Sequence, residues 1–121
     1  SNLALPTELA VKTYVDNLIV LESQSGINSD GNLSIDLPAG YRLAAIVLEE
    51  TANSSAGNVR IGSTPGGDEI MSDNSVGAGD LVDAVLKQTV LSLTVNKTLY
   101  ITSSAWGSSS LTMYVRLERV L

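Results

Sequence analysis

Asp68, Glu69, Asp73 and Asp80 are the nearest this chain comes to a cluster of groups able to do chemistry. They lie in or beside a Gly/Pro-rich stretch, residues 63–80, and carboxylates on a flexible loop are the ligands that calcium uses. Their spacing fits no calcium loop, because residues 68–74 lack the alternating acidic positions and closing Glu of an EF-hand. The expectation is a solvated acidic loop with no metal, and Asp68, Asp73 and Asp80 remain only a weak alternative. Paired carboxylates can also cleave glycosides, but the pairing is one of distance in space, which spacing in sequence does not give. The glycines of residues 62–67 and 77–80 lack the Lys and following helix of a Walker phosphate cradle and are expected to serve turns.

The chain contains no Cys and no His. Ser-His-Asp and Cys-His catalysis, thiol chemistry and zinc sites of the usual kind are thereby excluded, and an enzyme is not expected. No cofactor is expected either. Seven Lys+Arg stand against thirteen Asp+Glu, a net charge of −6 without a basic block, so nucleic acid is not an expected partner. The longest fully apolar run is four residues, 18–21, far short of the roughly 20 a membrane helix needs, so membrane insertion is not expected. One group that invites recognition chemistry is Trp106, in a Ser/Gly-rich connection with Tyr100 on the preceding predicted strand. The two form a candidate ligand-contact loop, against the plainer reading of Trp106 as a cap on the core.

These residues need elements to hold them. Residues 6–23 carry helix signals: Pro6 for the first helical position, Glu8 in the first turn, Gly26 for the stop. Placing Val11 and Leu18 at heptad a puts Tyr14 and Leu21 at d, with Val15 widening the seam. That surplus of apolar surface predicts a short coiled coil between copies of the chain, three helices suiting it better than two. Two heptads associate weakly, so the rest of the protein is expected to contribute to the interface.

Beyond Gly26 the period changes to alternation. Strands are expected at residues 32–37, 41–50, 58–63, 90–95, 98–102 and 111–121, with residues 81–87 as a strand or helical turn and a short strand at 69–71 inside the long loop. In residues 41–50, Leu43, Ala45 and Val47 are expected on one face and Ala44, Ile46 and Leu48 on the other. Apolar residues on both faces imply a covered strand, or one whose outer face meets a partner subunit. The fold expectation is mainly β: an antiparallel jelly-roll-like β-sandwich over residues 28–121, preceded by one N-terminal α-helix in a stalk of residues 1–27.

Two stretches resemble known proteins. Residues 8–17, ELAVKTYVDN, are similar to the short helices that recur in bacteriophage tail-fibre and head-fibre stalks. Residues 59–68, VRIGSTPGGD, with 98–101, Trp106 and 113–117, resemble the small β-domains that end such fibres, Gly66, Gly67 and Trp106 falling at recurring positions. The resemblance implies a homotrimeric, non-enzymatic virion component that meets other virion proteins and, through its tip, host-surface glycan, or that decorates the particle. It carries no functional residue onto a named position. The alternative is a monomeric carbohydrate-binding or adhesin module at a bacterial cell surface.

Overall fold

A computed structural model describes residues 18–120 of the chain. Eight strands run through them: β1 (Ile19–Ile27), β2 (Gly31–Leu37), β3 (Tyr41–Glu50), β4 (Gly57–Gly62), β5 (Met71–Val76), β6 (Leu81–Asp83), β7 (Lys97–Ser103) and β8 (Leu111–Arg119). Two four-stranded sheets result, ordered β1-β8-β3-β6 and β2-β7-β4-β5. Every strand pair is antiparallel.

Alternation explains the stacking of the sheets. In β2, Leu33, Ile35 and Leu37 are buried while Asn32, Ser34 and Asp36 face solvent. In β8, Leu111, Met113, Val115 and Leu117 are buried and Tyr114 and Arg116 exposed. These inward faces meet those of β3, β4, β5 and β7 in one hydrophobic cluster, where Leu48, Ile61, Leu99 and Met113 have no solvent exposure. Burying one face of each sheet against the other satisfies both at once.

Strand β3 departs from the expected facing. Its register with β8 slips between Leu43 and Ala45, and an extra residue in one strand reverses the side on which all later side chains fall. Leu43 is therefore buried together with Ile46, Leu48 and Glu50, and Ala45, Val47 and Glu49 point outward.

Three other expectations need correction. The helix expected to reach residue 23 is instead strand β1 from Ile19 onward, laddered to β8 from Ile19↔Glu118 to Ile27↔Leu111. Long-range pairing with a central strand outweighs local helical periodicity here, and the β-branched Ile19 and Val20 suit it. Leu21, assigned to a helical seam, thus stands on a strand. The remaining seam residues Val11, Tyr14 and Val15, and the helix expected over residues 6–17, lie outside the described residues. Residues 90–95 are irregular, since β7 already has β2 on one side and β4 on the other and offers no free edge beside them. The strand expected at 69–71 runs instead over Met71–Val76, pairing with β4 from Gly57↔Val76 to Ile61↔Met71.

The connections gather at two ends. Residues 28–30, 51–56, 77–80 and 104–110 meet at one; residues 38–40, 63–70 and 84–96 lie at the other, beside the start of β1 and the end of β8. Residue 18 therefore leads into the sandwich at the end opposite Trp106. From the full burial of Leu48, Leu48→Ala should cost about 2–5 kcal/mol of unfolding free energy in urea titration; a loss below about 1 kcal/mol would contradict its place in the core.

Candidate functional site

The outer faces of the two sheets differ in kind. On the β2-β7-β4-β5 sheet the outward residues are polar, and several pair with one another or with a neighbouring strand. Gln24 Oε1, from the neighbouring β1, accepts from Ser34 N at 2.7 Å and Ser34 Oγ at 2.9 Å, and Arg60 holds Asp73 through two N–H donors at 2.9 and 3.1 Å. On the β1-β8-β3-β6 sheet, Leu21, Tyr114, Ala45 and Val47 line an open groove of about 310 Å³, with Arg116 on its wall. Register places Leu21, Arg116 and Ala45 in one row and Ser23, Tyr114, Val47 and Asp83 in the next. Leu21 is 77% exposed, and at the β6 side Leu81 and Val85 are 68% and 73% exposed.

Within this face the polar atoms trim the groove rather than act in it. Tyr114 Oη donates to Glu49 Oε1 at 3.0 Å, and this hydrogen bond, together with the negative charge, raises the phenol's pKa. Arg42 pairs with Glu118 at 3.1 Å. A mostly apolar floor with one spent phenol is suited to packing, not to proton transfer.

Among the described residues the most perturbed acid lies elsewhere. Glu50 ends β3 on its buried side, 3% exposed, and its carboxylate accepts four backbone N–H groups. Oε1 takes Ser54 N at 2.8 Å and Gly79 N at 3.2 Å; Oε2 takes Ala52 N at 2.9 Å and Ser110 N at 3.0 Å. Burial works to raise the pKa, but the four donors outweigh it and hold the group at about 2 against an ordinary 4.5. One carboxylate thereby ties together three connections of the sandwich end.

The loop between β4 and β5 has its own anchor. Glu69 Oε1 accepts from Ser63 Oγ at 2.5 Å and from Ser63 N, and these bonds, aided by Lys87, lower its pKa against partial burial. Gly62 and Gly67 close around this side chain: a Cβ at either would lie 2.6 or 2.7 Å from Glu69 Oε2. The glycines that resemble a phosphate cradle enclose the chain's own carboxylate.

The acids weighed for calcium are dispersed among separate partners. Asp68 faces Lys87 at 3.6 Å, Asp73 binds Arg60, and Asp80 Oδ2 accepts from Gly77 N at 2.8 Å. Among the described residues no group of three or more His, Cys, Asp or Glu is placed to hold a metal. Trp106 is half-buried against the core, and its Nε1 donates to Asp30 Oδ1 at 2.6 Å, the oxygen that also accepts from Ser103 N at 3.0 Å. Tyr100 stands mid-strand on the polar sheet, opposite Asn32 and Gly62, away from the connection that holds Trp106.

Glu50 and Asp30 escaped sequence reading, and Glu69 was weighed there only as part of an acidic loop. The one signal for Glu50 is its place at the end of an apolar strand, directly before the donors of a Thr-Ala-Asn-Ser-Ser turn.

No protein-family model matches the chain, and no curated protein sequence does. Its fold is similar to chains of three solved phage capsids. A chain from the acid-stable capsid of Helicobacter pylori bacteriophage KHP30 superposes with a TM-score of 0.62 at 12% identity, covering 86% of this chain and 90% of that one. A chain from the capsid of Ralstonia phage GP4 gives 0.58 at 12% identity, over 84% of each. A chain from the capsid of cyanophage Pam1 gives 0.55 at 14% identity, over 84% of this chain and 83% of that one.

Two outcomes follow from the anchors at the sandwich end. Because the Glu50 pKa is depressed on folding, its contribution to stability is complete above about pH 4.5 and is lost as pH falls towards about 2. Glu50→Gln should melt lower than the native chain at pH 7 and lose less between pH 4.5 and 2, so that the two melting curves converge; parallel pH profiles would refute the anchor. Trp106→Ala should cost roughly 2 kcal/mol in chemical denaturation through lost burial and the loss of one of the two hydrogen bonds to Asp30 Oδ1. Unchanged stability would favour a ligand-contact role instead.

Proposed function

We propose that this chain is a non-enzymatic structural component of a bacteriophage particle, of the fibre or decoration kind, which assembles as a homotrimer and holds its sandwich out from an amino-terminal stem. Its location is the virion, its partners are further copies of itself and other virion proteins, and a host-surface glycan is the ligand class for its far end. The observation that carries this reading is the likeness of fold to three phage capsid chains over most of their length. The strand orders support it further. Orders β1-β8-β3-β6 and β2-β7-β4-β5 arise when eight strands fold as two nested Greek keys, the jelly-roll plan common among viral capsid domains.

Two features support assembly over catalysis. The perturbed carboxylate of Glu50 has both oxygens occupied by backbone donors, and that of Glu69 is bonded to Ser63 through Oε1 with Gly62 and Gly67 close against Oε2, so neither is open to a substrate. The open groove is apolar and lies on a sheet face, not among the connections where catalytic groups usually converge. Polarity also divides along the molecule: residue 18 enters at one end, and the connections carrying Trp106 and Asp30 lie at the other, where a stem would present them outward.

Light scattering on the full chain at micromolar concentration should give three times its 12.7 kDa mass. A one-chain mass would overturn the trimer and favour the monomeric adhesin module.

A further inference from the structure

The outer face of the β1-β8-β3-β6 sheet carries two apolar patches that bear opposite charge. On the β1–β8 side, Leu21 stands beside Arg116, and on the β6 side Leu81 and Val85 flank Asp83. Neither Arg116 nor Asp83 has an ion pair or side-chain hydrogen bond among the described residues, whereas Arg42, Arg60 and Lys87 are all paired. The other sheet's outer face shows no such division.

From this asymmetry, and resting on the trimer reading above, we infer that the two patches meet between neighbouring copies: the Leu21–Arg116 side of one chain docks against the Leu81–Asp83–Val85 edge of the next. The occupant of the groove is a second copy of this chain. Three-fold symmetry supports this arrangement, because a ring of three cannot use a single self-complementary patch. Each copy must offer two different patches, one to each neighbour. The groove and the β6 edge are two such patches on one face, matched in apolar character and opposite in charge.

The absence of native cysteine makes the contact testable by disulfide trapping. Full-length Leu21→Cys and Val85→Cys chains, at the same level along the strands, mixed, co-assembled and oxidised, should yield a two-chain band containing one of each, while either variant alone stays single on a non-reducing gel. Arg116→Asp, with an unchanged circular dichroism spectrum, should weaken assembly by about tenfold or more through like-charge contact with Asp83. A native chain of three-copy mass that gives no mixed band, or bands from Leu21→Cys alone, would overturn this interface and leave the trimer standing. A one-copy native mass would overturn both.

Discussion

A chain without cysteines and without a metal cluster among its described residues must hold its loops by hydrogen bonds, and in this sandwich that task falls to carboxylates that accept backbone N–H groups. Glu50 accepts four of them, from the β3–β4, β5–β6 and β7–β8 connections, and Asp30 ties the remaining β1–β2 connection to Ser103 and Trp106. Each buried N–H that has no strand partner needs an acceptor, and an ionised carboxylate is a strong one. The result is a sandwich end whose four connections are fixed relative to one another by two side chains. At the opposite end Glu69 does the same for the β4–β5 loop with Ser63.

Fixed ends free the faces for other work. One sheet has a polar outer surface, and the other exposes Leu21, Leu81 and Val85 around a groove floored by Ala45 and Val47. The bulge in β3 creates that floor. Without the slip between Leu43 and Ala45, the outward positions would fall to Ile46 and Leu48, and the core would lose two of its fully packed side chains. The packed core and the apolar outer floor thus depend on the same irregularity in one strand.

Much of this was legible in the sequence where alternation was clean. Residues 33–37 and 111–117 carry it without interruption, and both are strands, as expected, with their alternating apolar residues inward. Residues 18–21 do not, because a run of four apolar residues fits a heptad seam and a strand equally well, and only the partner strand β8 decides between them. The bulge was invisible for a similar reason: an extra residue in an all-apolar strand leaves the pattern of letters unchanged. The thirteen acids read as surface charge, but what separates Glu50 and Glu69 from the rest is which backbone donors the fold delivers to them. Trp106 was placed more easily, since a lone Trp in a Ser/Gly-rich connection has either the core or a ligand to cover, and Asp30 supplies the acceptor its N–H needs.

The central claim is that the apolar face of the β1-β8-β3-β6 sheet joins copies of this chain into a closed ring. A cryo-electron microscopy map of the purified full chain, fused if necessary to a larger three-fold-neutral carrier for size, tests it most directly. The account predicts three sandwiches about one axis, with the β1-β8-β3-β6 sheets facing it and Leu21 of each copy against the β6 edge of the next. A map with the polar β2-β7-β4-β5 sheet at the axis, or with isolated sandwiches, would contradict it.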